Sequence, residues 1–399
     1  MSVSKRAWRG LATLVVLGLI AAGCGDDDDN GGDSAAGGDG EGSIWVLLPD
    51  TASSDRWEKD DRRFFADAFE EAGLSEGDDF TIVNAEGDAA TQQSQAEQAI
   101  ADGASVIVLT SLDTGSGATI IDQAKEADVQ VVEYDRFNTG GSGGDAYVSF
   151  DNVEVGAAMA EAVEPAIDAL GVTPARVVML NGGEEDNNSF LFKQGYAETV
   201  DARVDAGDWE LVSDQFVPGW DNQEAQTLME QILVDANNDV DAVFAANDGL
   251  ANSVINALEA AGVGPVPLSG QDATAAGIQN VLLGKQTVSV YKPIQDEAGV
   301  AAAIALALRN GDDIEEAANS YESPLESGGA DVSIIGIEAE TGEPTDAADG
   351  EGVVMYVALQ PIGVTVDNVA DTVIADEFRT VEELCTGAVA NTPFCQQNS

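Results

Sequence analysis

The sequence predicts an α/β protein of two lobes, each a doubly wound parallel sheet covered by helices on both faces. Three observations carry that expectation. The chain has 399 residues, more than one hydrophobic core ordinarily serves, so two domains are expected. From Ser43 onward short apolar runs alternate with helical stretches, as parallel strands joined by crossover helices do. The runs end repeatedly on Asp, Asn, Gln or Arg, at the strand ends where open parallel sheets hold ligands.

The runs are Ile44–Leu48, Phe80–Val83, Val106–Leu109, Val131–Tyr134, Arg176–Leu180, Leu211–Val217, Ala242–Ala246, Val266–Ser269 and Thr287–Tyr291. Amphipathic or Ala-rich stretches separate them, among them Trp57–Ala72, Ala89–Ala101, Val153–Leu170 and Asn222–Asp235. In the first of these Phe64, Phe65, Ala68 and Phe69 recur at helical spacing, one face toward a sheet. Nine strands in two clusters suit two lobes better than one very wide sheet, with the break near Ser149-Phe150-Asp151-Asn152. A closed (β/α)8 ring is the alternative, and the irregular C-terminal third gives it no clean end.

Residues 1–24 read as a targeting segment: Lys5, Arg6 and Arg9 precede an apolar run, Leu11 to Ala22, too short for a preferred membrane span. The run ends Ala21-Ala22-Gly23-Cys24, which resembles the lipobox of bacterial lipoproteins and makes Cys24 the expected lipidation site. A plain signal peptide with an incidental Cys is the alternative. Residues 25–42, acidic and rich in Gly, cannot bury a core and are expected to be a flexible tether. Four aspartates there could bind calcium, but such a run is ordinarily just solvated. The protein is thus expected outside the cytoplasm, in the periplasm or anchored to the outer face of the cell membrane. Cys385 and Cys395 remain, and an oxidising compartment favours their pairing as a disulfide.

Composition narrows the function. With 73 acidic against 16 basic residues and a formal net charge of -57, the chain repels nucleic acid. Such a surface suits a saline exterior, and equally an ordinary acidic secreted protein. Histidine is absent, which removes His-based triads, His metal ligands and the usual neutral-pH proton shuttle. The cysteines lack zinc spacing. No metal or cofactor is expected.

The strand ends are the informative feature. Asp50 follows the first run, Asp135-Arg136 the fourth, Asn181 the fifth, Asn247-Asp248 the seventh and Gln271-Asp272 the eighth. These planar groups can grip the paired hydroxyls of a sugar, each both donor and acceptor. Asp and Asn at such turns are also good helix N-caps, and Asp248 or Asn181 alone fits either role. An Asp-Arg pair is less easily assigned to capping. Trp57 and Trp220 lie beside polar loops and could stack on a sugar's C–H faces, although a lone Trp is more often core. Other motifs fail. Gly284-Lys285 is followed by Gln286, and the Gly140–Gly144 cluster opens no helix, so neither is a phosphate loop. Carboxylate pairs are too common among 73 acidic residues to argue for a glycoside hydrolase.

A set of segments in order resembles the type I periplasmic binding protein family, and within it the D-xylose-binding proteins. They are Asp55-Arg56-Trp57-Glu58-Lys59-Asp60, Tyr134-Asp135-Arg136, Ser149-Phe150-Asp151-Asn152, Asp186-Asn187-Asn188, Gly219-Trp220, Ala246-Asn247-Asp248, Ser269-Gly270-Gln271-Asp272 and Val290-Tyr291-Lys292-Pro293. The likeness runs from about Ile44 to Arg309, more weakly near Pro361–Phe378. The glycine-rich loop after Arg136 and the segment 328–352 depart from it by their length. The resemblance implies two lobes on a multi-strand hinge: 43–150 with about 293–327, then 151–292 with about 353–375, and a C-terminal tail 376–399. It implies that Arg56 donates to sugar hydroxyls and Trp57 stacks on the ring, with Asp135 and Arg136 acting from the same lobe. Asp186, Asn188 and Trp220 would face them from the other lobe, with Asn247 and Asp272 on the rim and Lys292 near a crossover strand. Two Arg and Lys292 would then balance three Asp. The implied role is a monomeric, non-enzymatic binding subunit of an ABC importer, closing on a monosaccharide and delivering it to a membrane permease. D-xylose leads, with glucose, arabinose or another aldose as alternatives. A sugar sensor for a signalling receptor, or a secreted glycoside hydrolase, are the competing readings.

Overall fold

A computed structural model describes residues 42–327, 329, 331–345 and 350–398. The expected signal peptide, the lipidation site Cys24 and the tether apart from Gly42 lie outside the described residues.

The first lobe opens with alternating strands and helices: β1 (Ser43–Leu48), α1 (Arg62–Glu71), β2 (Phe80–Asn84), α2 (Ala89–Ala101), β3 (Ala104–Leu109), α3 (Thr114–Glu126), β4 (Gln130–Tyr134) and β5 (Ala146–Phe150). Its strands pair in parallel in the order β2-β1-β3-β4-β5. Burial on both faces explains the apolar runs of β1 and β3. Strand β5 was not among the expected nine. Ser149 interrupts its apolar run, yet is buried because its Oγ donates to the Asp135 carbonyl at 2.8 Å.

The chain crosses into the second lobe at Asp151. That lobe contains α4 (Asn152–Asp168), β6 (Ala175–Asn181), α5 (Asn187–Ala206), β7 (Trp209–Phe216), α6 (Asn222–Asp235), β8 (Ala242–Ala245), α7 (Asp248–Ala261), α8 (Ala275–Leu282) and β9 (Ser289–Tyr291). Strands β7-β6-β8 are parallel neighbours. The expected strand Val266–Ser269 is reduced to one bridge, Leu268 with Val243. Pro265 and Pro267 bring no N–H to a ladder, so the segment pairs only briefly between β8 and β9. Helices α4 and α5 cross closely at glycines. A Cβ on Gly156 would lie 2.0 Å from the Phe192 carbonyl, and one on Gly195 would lie 2.1 Å from that of Val153.

The chain returns to the first lobe through Lys292 and α9 (Ile294–Asn310), continues through α10 (Ile314–Asn319), and adds β10 (Val332–Glu338), β11 (Pro344–Thr345) and β12 (Val353–Leu359). Residues 353–359 were expected in the second lobe. Instead β12 pairs in parallel with β5 and antiparallel with β10, giving the order β2-β1-β3-β4-β5-β12-β10-β11. Its run Val-Val-Met-Tyr-Val-Ala-Leu is almost wholly buried, and β5 offers the open edge it needs. The chain then reaches the second lobe at β13 (Ile362–Val364), antiparallel to β9, so the lobe boundary falls at Gln360-Pro361. The loop after Arg136 and the segment around β10 and β12 pack on each other. Gly140 donates to the Ala339 carbonyl at 3.1 Å, and Phe137, Tyr147, Ile337, Val354 and Tyr356 share a separate apolar cluster.

The C-terminal segment is not a loose tail. After α11 (Val381–Leu384), Cys385 is disulfide-bonded to Cys395 in α12 (Pro393–Asn398). Leu384, Val389 and Cys395 are buried, and Gln279 of α8 donates to the Leu384 carbonyl at 3.0 Å.

Candidate binding cleft

The carboxyl ends of the strands of both lobes face one cavity. All ten expected site residues line it: Arg56, Trp57, Asp135 and Arg136 from the first lobe, Asp186, Asn188, Trp220, Asn247 and Asp272 from the second, and Lys292 at the crossing between them. None is more than 7% exposed. Ser53, Ser54, Phe192 and Gln271 complete the lining. The sequence had flagged Gln271 by its strand-end position; the serines and Phe192 carried no signal, being an ordinary loop and an ordinary helix face.

The other strand-end residues do local work. Asp50 accepts from the Ala52 and Ser53 N–H groups at 2.7 and 2.6 Å and shapes the turn. Asn181 donates to Asp214 at 2.7 Å. Asp248 is buried behind the site, accepting from Gln286, Ser289 and Thr274. Asn247 combines both possible roles: it lines the cavity, and its Oδ1 caps α7 by accepting from the Leu250 N–H at 2.8 Å.

Charge in the cleft is organised around Arg56 and Asp135. Arg56 grips Asp61 through two N–H groups at 2.9 and 2.7 Å, and reaches Asp135 and Glu297 at 3.0 Å each. Lys292 donates to Asp135 at 3.0 Å and stands 3.9 Å from Asp272. Burial alone would raise the Asp135 carboxyl, but Lys292, Arg56 and Arg136 outweigh it and hold the group well below the usual carboxylate range. Burial raises Asp186 despite Arg136 at 3.1 Å, and burial with Asp135 nearby raises Glu297 far above its ordinary value. The expected balance of three cations against three aspartates is therefore incomplete. Asp61 and Glu297 join the acidic side, and the raised affinity of Glu297 for a proton limits the excess. Both sit at or inside helices, where nothing in the sequence sets them apart from surface carboxylates.

Three cavity residues hold backbone conformations that side chains disfavour: Asp135 at φ 62°, Trp220 at φ 53° and Asp272 at φ 91°. Such strain persists where the surroundings over-determine it, which is common at ligand sites. Trp220 is fixed further by Phe192, 6.3 Å away edge-on, and by Gly182, where a Cβ would lie 2.2 Å from the indole. Arg56 lies 4.2 Å above the Trp57 ring. The indole N–H groups of Trp57 and Trp220 and the Gln271 Oε1 are buried without protein partners. Buried polar groups of that kind call for a ligand or water that completes them.

The lobes are closed on the cavity. Ser54 donates to Asp272 at 3.1 Å, Asn188 to the Asp135 carbonyl at 2.8 Å, and the Thr114 N–H to the Glu185 carbonyl at 3.1 Å, each pair joining the two lobes. Among the described residues no three His, Cys, Asp or Glu side chains cluster as a metal site would require.

The family model for the periplasmic binding protein domain matches residues 45–313. The chain belongs to the periplasmic binding protein family. This periplasmic binding protein is 35% identical over 331 residues to the D-xylose-binding periplasmic protein of Escherichia coli (strain K12), covering 83% of this chain and 89% of that one. It is 34% identical over 340 residues to the D-xylose-binding periplasmic protein of Haemophilus influenzae, covering 85% and 91%. Its fold matches an ABC transporter solute binding protein from Clostridium phytofermentans with bound β-D-glucose: TM-score 0.70, 24% identity, 86% of this chain and 99% of that one. Like these relatives it is a solute-binding protein and not an enzyme, which removes the hydrolase alternative.

Proposed function

We propose that the protein is the extracytoplasmic sugar-binding subunit of an ABC importer, closing its two lobes on D-xylose and presenting the closed form to a membrane permease. One observation carries this reading: a buried cleft in which two indoles, three cations and three aspartates converge from both lobes. A sugar offers hydroxyls to the charged and amide groups and C–H faces to the indoles. Preorganised bonds, rather than area, then supply the affinity. Closure follows from the lobes' differential contacts with the ligand, which shift the open–closed equilibrium. The choice of D-xylose rests on the resemblance to xylose-binding relatives, and glucose is the competitor to test, because one hydroxymethyl group is weakly discriminated. Lipidation at Cys24 would keep a monomeric binder close to its permease at high effective concentration.

Titration calorimetry against a panel of pentoses and hexoses tests the reading. D-xylose is expected to bind most tightly, and W220A or D272A to weaken it at least about tenfold, the loss of one good contact. Unchanged affinity in both variants would remove the site, and a tighter hexose would reassign the ligand. Metabolic labelling with a fatty acid, with C24A as control, tests the anchor.

A further inference from the structure

The C-terminal segment reaches the ligand site through one buried side chain. Arg379 is 7% exposed. Its Nε donates to the Ala273 carbonyl at 2.9 Å, and its Nη1 and Nη2 meet the two oxygens of Asp60 at 3.3 and 3.1 Å. Asp60 is itself 4% exposed and belongs to the wide helical turn Trp57–Asp61, which carries Trp57 into the cavity from the first lobe. Ala273 is the neighbour of Asp272 in the second lobe, and both have left-handed backbone conformations, φ 44° and 91°. One guanidinium thus joins the turn bearing one cavity residue to the strained loop bearing another. Arg379 has firm footing. Phe378 packs 5.0 Å from Tyr291 at the end of β9, and the disulfide-closed segment that follows is buried against α8.

We propose that Arg379 is a positioning residue for ligand binding: it touches no cavity atom, but sets the spacing between the Trp57 turn and the Asp272 loop and ties the lobes in their closed arrangement. The chemistry suits the task. A planar guanidinium held by a carboxylate fork and a carbonyl fixes direction as well as distance, which a lysine cannot do. A loop held at positive φ without glycine relaxes unless neighbours hold it, and Arg379 supplies one of those holds at the Ala273 carbonyl. The inference rests on the sugar-binding reading for its affinity readout, but the tie between lobes is measurable without any sugar.

The test uses the mature full-length protein with R379A, R379K, D60N and the R379A/D60N pair. Two quantities are read: D-xylose affinity by calorimetry, and lobe separation in ligand-free protein by energy transfer between dyes on α3 and α6. R379A is expected to weaken sugar about tenfold and to lengthen the interlobe distance. R379K should behave like R379A, because charge without the fork does not restore the geometry, and the double variant should be no worse than R379A alone. If R379A fails to fold, D60N carries the same expectation in milder form. Unchanged affinity and unchanged lobe separation, with only a lower melting temperature, would overturn the proposal and leave Arg379 a purely structural residue. If the wild-type protein binds no sugar, the functional reading fails, while the lobe separation still supports or overturns the interlobe tie.

Discussion

At the scale of single residues, two buried carboxylates outside the cleft make stability depend on pH. Burial pushes Glu133 up to about 7, even though Asn138 and Gly144 donate three N–H groups to it at 2.8 Å each. Burial likewise pushes Asp248 up to about 7. A carboxyl whose folded pKa is raised stabilises the fold fully below its ordinary pKa, and that contribution is lost as pH climbs through the raised value. Asp135, held low, acts oppositely but only under more acidic conditions. The protein is therefore expected to lose stability between about pH 4.5 and 7, by on the order of 3 kcal/mol for Glu133 alone. Urea midpoints across that window check this, and E133Q should flatten the slope. Nothing in the sequence marks Glu133, which sits inside the run Val131–Tyr134 without any visible partner. The cavity residues were more legible. Strand-end position pointed to Asp135, Arg136, Asn247 and Asp272, polar-loop neighbours to Trp57 and Trp220, and the family likeness added Arg56, Asp186, Asn188 and Lys292, all of which line one cavity. Position alone could not separate them from Asp50 or Asn181, because a capping carboxylate and a ligand-facing one occupy the same place in the pattern.

At the scale of elements, the crossing of α4 and α5 couples packing to the cleft. Gly156 faces the Phe192 carbonyl, and Phe192 lines the cavity and supports Trp220. G156A must spread the helices, so a loss of about 1–3 kcal/mol is expected from overpacking. Sugar affinity should fall with it, because Phe192 moves. Denaturant unfolding and calorimetry on one variant check both; a stable G156A with weakened binding would show that the crossing serves the site more than the core. The strand pattern was legible wherever apolar runs were continuous, as in β1, β3 and β4. It failed for β5, where buried Ser149 looks like a surface residue, and for Val266–Ser269, where proline leaves too few donors. It also misplaced β12, because an apolar run states that a strand is buried and not which sheet buries it.

At the scale of the whole molecule, 73 acidic residues against 16 basic ones must repel each other in the compact state. Salt screens such repulsion over roughly 10 Å at 0.1 M and 3 Å at 1 M. The melting temperature is expected to rise as sodium chloride goes from 0.05 to 1 M, measured by calorimetry, with potassium chloride giving the same curve if screening is the cause. The two-lobe architecture was legible from length and alternation, whereas the third crossing at Gln360-Pro361 was not, for it depends on the pairing of distant strands. That pairing has a consequence for biosynthesis. Strand β5 ends at Phe150 and waits for β12, which begins at Val353, about 200 residues further along the chain. Until those residues leave the ribosome the growing polypeptide carries a bare apolar edge, a hazard for aggregation. The first lobe's sheet is therefore complete only once nearly all of the chain has been made.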